Sequence, residues 1–128
     1  LHFYKNILGL KVIQDFWDDS SYINKITGIK NANVHMIKLK ASDGTVLEIL
    51  SYENHPTNLI DHPIYNVGAC HIALRIENAD YAYEELKKNG IRVISEPVLS
   101  SEGIARVFFC LDPNNIRIEL VEMLGEQH

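Results

Sequence analysis

The hydrophobic pattern along this chain is mostly that of short strands. Residues 34–40 set Val34, Met36 and Lys38 on one side against His35, Ile37 and Leu39 on the other, the period of two expected of a strand. Ser42-Asp43-Gly44 then marks a hairpin, because Asp-Gly suits a turn with positive φ, and residues 46–51 form the return strand. The second half repeats the arrangement. Strands over residues 104–111 and 116–123 flank Asp112-Pro113-Asn114-Asn115, a turn in which Asn tolerates positive φ. Further strands are predicted over residues 10–16, 70–76 and 91–94. Helical spacing is rarer. Phe3, Tyr4, Ile7 and Leu8 make one apolar face of a helix end stopped by Gly9, and residues 22–27 make a helical turn ended by Gly28. A third helix, capped by Asn78 or Asp80 and running to about Asn89, places Tyr81, Ala82, Leu86 and Tyr83 on its buried side. Residues 54–67 hold two prolines and little periodicity and read as a linker, and residues 125–128 as a frayed tail.

Two glutamates interrupt this pattern in matching places. Asp43-Gly44-Thr45-Val46-Leu47-Glu48-Ile49-Leu50 and Asn114-Asn115-Ile116-Arg117-Ile118-Glu119-Leu120-Val121 each run from a turn pair through a β-branched residue to a Glu between Leu and Ile. Glu is depleted in strands. Alternation puts Leu47 with Ile49, and Ile118 with Leu120, on one face, so both carboxylates point to the other. A solvent-facing Glu accounts for either alone; the repetition asks for more. The repeat extends further, since Asn89-Gly90-Ile91-Arg92-Val93-Ile94 matches Leu8-Gly9-Leu10-Lys11-Val12-Ile13. Each half then reads strand, helix, strand, strand, strand, with the first half lacking its opening strand and most of its helix. The expectation is a first strand upstream of Leu1 and outside this chain.

Composition narrows the function. A formal net charge of −5 with no basic run argues against a nucleic-acid partner, and no apolar run approaches the roughly 18 residues of a membrane span. Cys70 and Cys110 each fall in a predicted strand and read as small buried hydrophobes of a reducing, cytoplasmic compartment. His71 heads the strand that opens the second half, and taken alone it reads first as a hydrogen-bonded core histidine. Together with Glu48 and Glu119 it makes a donor set of one imidazole and two carboxylates, suited to a divalent transition metal (Ni, Zn, Co, Mn or Fe). The repeat implies a fourth ligand, most simply a second His, on the missing strand. His2 and His35 do not occupy the equivalent position.

The ordered set of segments resembles the vicinal oxygen chelate superfamily, the glyoxalase, bleomycin-resistance and extradiol dioxygenase group. The carriers are Phe3-Tyr4-Lys5-Asn6-Ile7-Leu8-Gly9-Leu10, Val46-Leu47-Glu48-Ile49-Leu50, His71-Ile72-Ala73-Leu74-Arg75-Ile76, Leu86-Lys87-Lys88-Asn89-Gly90, Ser95-Glu96-Pro97 and Asp112-Pro113-Asn114-Asn115-Ile116-Arg117-Ile118-Glu119-Leu120. The resemblance implies an α+β fold of two βαβββ modules forming an open cup-shaped sheet around one metal. In these terms residues 1–128 are a single domain: a partial first module over 1–53, a linker over 54–67 and a second module over 68–124. Asn114-Asn115 departs from the family's Asp-Gly-Asn and alters turn chemistry alone.

Carried over to this chain, the family's metal ligands fall on Glu48, His71 and Glu119. A Glu rather than a Gln at position 48 implies glyoxalase I-like lyase or isomerase chemistry through an enediolate. Glu119 or Glu48 would be the base, and the substrate would be small and oxygenated, such as a methylglyoxal–thiol hemithioacetal. Arg75, Arg106 and Arg117 read first as surface-strand charges and are also candidates to hold a substrate carboxylate, while Phe16, Trp17, Phe108 and Phe109 read first as core and would line the cup of a metal-free binding protein. The family also implies a homodimer. Its other members leave two rivals open: a metal-free drug- or metabolite-binding protein of the bleomycin-resistance kind, and an Fe-dependent extradiol dioxygenase.

Overall fold

The computed structural model describes residues 1–60 and 63–125. Two of the linker positions and the end of the tail read above as frayed lie outside the described residues. The chain divides into two compact units, Leu1–Leu59 and Ile60–His128. No helix among the described residues is long and apolar enough to cross a membrane.

The first unit opens with one widened helical turn, Phe3–Ile7, which buries Phe3 and Tyr4 and closes with the Leu8 N–H on the Phe3 carbonyl at 2.9 Å. Strands β1 (Lys11–Asp18), β2 (Val34–Lys40) and β3 (Val46–Tyr52) follow in an antiparallel sheet of order β1-β2-β3, with helix α1 (Ser21–Thr27) between the first two. The β2–β3 turn is the Asp-Gly hairpin that the sequence predicts. Gly44 takes φ 94°, a value a side chain would strain, and the Ala41 N–H meets the Thr45 carbonyl at 2.8 Å. The β1–β2 register slips between Val12 and Gln14, and Ile13 is left partly exposed at that irregularity. Ile23 of α1 packs with Ala32, Val34 and Met36 into a small core on one face of the sheet.

In the second unit, β4 (Ile72–Arg75), α2 (Ala79–Lys88), β5 (Val98–Leu99), β6 (Ala105–Leu111) and β7 (Arg117–Met123) give a sheet of order β4-β7-β6-β5. The β4–β7 pair is parallel and the others antiparallel. The start of α2 is fastened three ways. Asn78 Oδ1 accepts the Tyr81 N–H at 3.0 Å, the Ala79 N–H donates to Glu122 of β7 at 2.7 Å, and Arg106 Nη2 of β6 donates to Asp80 at 2.6 Å. Leu86 and the Tyr83 ring, edge-on to Phe108 at 5.8 Å, seat the helix on the sheet.

With the capping residue fixed at Asn78, the buried stripe of α2 starts at Ala79, and Tyr81 falls on the solvent side at 66% exposure, against expectation. The strand predicted over residues 91–94 reduces to one bridge, Val93 to Cys110. Pro97, with no N–H to give, separates it from β5. Cys110 is buried in β6 as expected, whereas Cys70 stands before the start of β4 and is exposed. The two units are thus βαβββ-like modules of an α+β fold. β1-β2-β3 answers to β5-β6-β7, and β7 carries β4 on its outer side. Among the described residues β3 pairs with β2 alone.

Candidate functional site

The second unit assembles its site by alternation. Ile118 and Leu120 of β7 are almost fully buried, as are their cross-strand partners Cys110 and Phe108, and this is the face that α2 covers. Glu119, between them, must point the other way. Opposite it on β6 is Phe109, and on the parallel side its partner is Ala73. His71 lies two residues before Ala73 and shares that face. The imidazole Nε2 lies 3.1 Å from Glu119 Oε1, with both side chains about one-third exposed. The edge of the imidazole rests on Phe109, centroids 5.2 Å apart at 82°. Arg117, two residues before Glu119 on the same face, holds its guanidinium carbon 5.4 Å from the centre of the same ring.

Such a pair can act in two ways. The carboxylate can accept a proton while the imidazole orients it. Alternatively, both groups can offer lone pairs to one cation. Two N/O donors about 2.1 Å from a tetrahedral or octahedral first-row metal stand about 3.0–3.4 Å apart, which brackets the observed separation. The donor chemistry of His71 and Glu119 therefore fits such an ion.

Glu48 occupies the matching place in the first unit in different company. Leu47 and Ile49 pair with Leu39 and Ile37, so Glu48 takes the opposite face, as alternation requires, and shares it with Met36 and Val34. The residue directly across is Lys38, whose Nζ lies 3.8 Å from Glu48 Oε2 with both side chains partly exposed. Lys38 escaped the sequence reading, although hairpin symmetry about Asp43 pairs residue 38 with residue 48. His35 stands on the face opposite Glu48, bonded through Nε2 to Asp15 Oδ1 at 2.7 Å and stacked on Trp17 at 4.4 Å. Within either unit, no three His, Cys, Asp or Glu side chains among the described residues gather around a common point.

The remaining candidates separate cleanly. Phe108 belongs to the helix-covered core rather than to the open face, and Trp17 lies on the His35 face rather than beside Glu48. Arg106 is on the helix side and bound to Asp80. Arg75 and Arg117 are on the Glu119 face. Asp112 is buried at the β6–β7 turn, where its Oδ1 accepts the N–H groups of Asn114 and Ile116 at 2.8 Å each and holds Asn115 at φ 64°. Burial first, and the Asp112 charge second, push the Cys110 thiol up to about 11.

The profile of the Glyoxalase/Bleomycin resistance protein/Dioxygenase superfamily matches residues 1–120. A lactoylglutathione lyase of Neisseria meningitidis is 26% identical over 125 residues, covering 95% of this chain and 79% of its own length. Among solved structures, a glyoxalase family protein of Bacillus cereus superposes with a TM-score of 0.83 at 23% identity, over 94% of this chain and 82% of its own. The trypanothione-dependent glyoxalase I of Leishmania major superposes at 0.64 with 21% identity, over 94% and 74%.

Proposed function

Since the chain belongs to the Glyoxalase/Bleomycin resistance protein/Dioxygenase superfamily, we propose that it is a glyoxalase I-like metalloenzyme that isomerises a small oxygenated substrate by moving one proton between adjacent carbons. The observation that carries this reading is the His71–Glu119 contact, 3.1 Å, on the face of the second unit turned away from its helix. Glu119 is the base: it takes a proton α to a carbonyl and returns it to the neighbouring carbon. Phe109 backs the His71 imidazole edge-on, so that the imidazole stands beside the carboxylate. His71 and Glu119 would hold a divalent transition metal (Ni, Zn, Co, Mn or Fe). Bound there, such an ion supplies Lewis-acid stabilisation of the negative charge that develops on the substrate's oxygens. The likeness to lactoylglutathione lyase supports a methylglyoxal–thiol hemithioacetal as the first substrate to assay.

The Lys38–Glu48 contact favours a second reading. An ammonium beside Glu48 already supplies the positive charge a metal would bring there, which suits a metal-free binding protein for a small metabolite or drug. Elemental analysis of the purified protein decides between them. About one equivalent of transition metal per chain, surviving dialysis and lost together with hemithioacetal turnover in Glu119→Gln, is the expected outcome. No metal uptake from Ni, Zn, Co, Mn or Fe, with tight binding of a planar ligand, would establish the binding protein instead.

A further inference from the structure

The face that carries His71 and Glu119 also carries two cations that the isomerisation does not use. Arg117 precedes Glu119 by two residues, and Arg75 is paired across the parallel ladder with Val121, two residues after it. Two steps along a strand are about 6.6 Å, so along this face one arginine position precedes Glu119 and one follows it. Among the described residues neither Arg75 nor Arg117 has an acidic partner, whereas Arg106 is spent on Asp80, Lys38 on Glu48 and Lys88 on Glu85. In a chain of net charge −5, two unpaired arginines on one face are a local reversal of sign.

The seat of Arg117 adds geometry to charge. Its guanidinium lies over the Phe109 ring, the same ring that the His71 imidazole meets edge-on. A guanidinium seated on an aromatic face has one side desolvated and its side-chain entropy partly lost before any ligand arrives. Among the described residues its N–H fork has no hydrogen-bond acceptor, and such a fork recognises carboxylate or phosphate oxygens in pairs. Phe109 thereby touches both the imidazole beside Glu119 and the guanidinium of Arg117.

We infer that Arg117, with Arg75 on the far side of Glu119, recognises an oxyanion group on the substrate, so that the substrate class is a small oxygenated compound carrying a carboxylate, phosphate or phosphonate a short carbon chain from the reacting carbons. The inference rests on the reading of the His71–Glu119 face as the substrate site. Arg117 is a specificity-determining residue and takes no part in the proton transfer.

The test uses the full chain, stripped of metal by a chelator that is then dialysed away, at pH 8, where an ordinary imidazole is neutral. Inorganic phosphate and acetate are titrated in separate arms, and the His71 imidazole and Phe109 ring signals are followed by NMR. Both sets of signals shift saturably, phosphate ahead of acetate for a phosphate or phosphonate site and the reverse for a carboxylate site. Arg117→Gln weakens binding by roughly tenfold or more. Arg117→Lys, which keeps the charge and the fold but loses the fork, falls between the two, and Arg106→Gln binds as the parent does. Shifts that saturate for neither anion, or equal affinity in Arg117→Gln, Arg117→Lys and the parent, overturn the inference. Anion binding through Arg117 in a protein that takes up no metal leaves the inference standing and removes the isomerase reading. Metal uptake with no effect of Arg117 does the opposite.

Discussion

The β2–β3 and β6–β7 hairpins are two answers to one sequence pattern. Each returns from a turn into a strand whose glutamate sits between a Leu and an Ile, and in each the flanking pair takes the face opposite the carboxylate. What differs is the neighbour the opposite strand supplies. Lys38 stands across from Glu48, and Phe109 stands across from Glu119. β7 also has β4 on its other side, which brings His71 to the carboxylate, while β3 has no second partner among the described residues. A motif fixes where a carboxylate points. The strand next to it decides whether that carboxylate meets an ammonium in water or an imidazole on an aromatic ring.

The comparison breaks first at the glutamates. Glu119→Gln is expected to lower isomerase turnover about a thousandfold, as loss of the base, and Glu48→Gln, which removes the charge facing Lys38 and leaves the base in place, by clearly less. Steady-state rates on metal-loaded protein check the order, and the reverse order would move the base to β3. Next come the paired phenylalanines of β6. Phe108→Ala empties the helix-covered core and is expected to cost about 3–5 kcal/mol in denaturant unfolding. Phe109→Ala on the open face should cost clearly less stability and instead loosen His71 and Arg117, read as a raised KM. Equal stability losses would mean that the two faces are not distinct.

The cysteines give a third contrast. Cys70 is exposed and Cys110 buried, so iodoacetamide on the native protein should label Cys70 alone, as peptide mapping would show. The Cys110 thiol is raised from 9.0 to about 11 in the fold. The folded state therefore holds its proton more tightly than the unfolded chain. The stability from that tighter hold is fully present below pH 9 and declines as pH rises from 9 to 11, by at most about 3 kcal/mol. Cys110→Ala removes this part of the alkaline slope, and an unchanged slope would assign it elsewhere. The smallest effect belongs to Lys38→Met. Exposed pairs of this kind are worth under about 1 kcal/mol, so the unfolding midpoint should barely move.

Much of this was legible in the residues, and the reason is local geometry. Asp43-Gly44 and Asp112-Pro113-Asn114-Asn115 fix two hairpins, hairpin arithmetic fixes their register, and alternation fixes which way Glu48 and Glu119 face. The same arithmetic would have delivered Lys38 and Phe109 as their partners. The parallel β4–β7 pairing is different, because no turn connects the two strands. His71 was found from its place in the repeat rather than from any local rule. Tyr81 and Cys70 were misplaced for a related reason. Whether an apolar residue at the edge of an element is covered depends on what the helix cap and the neighbouring strand do, and Glu122, 43 residues away, sets the cap of α2. The bond from Arg106 to Asp80 is likewise long-range, and nothing near either residue announces it.

The parallel pairing of β4 with β7 also has a temporal consequence. The β6–β7 hairpin closes over a few residues around Asn114, but His71 and Glu119 are 48 residues apart. The chain between them must be ordered before the two side chains meet, and long loops close late because their entropy is lost before the contact rewards it. A newly made chain can therefore own its helix and its hairpins while still lacking the contact of His71 with Glu119. That contact is expected to be among the last the second unit acquires, and among the first it loses when β4 frays from the sheet.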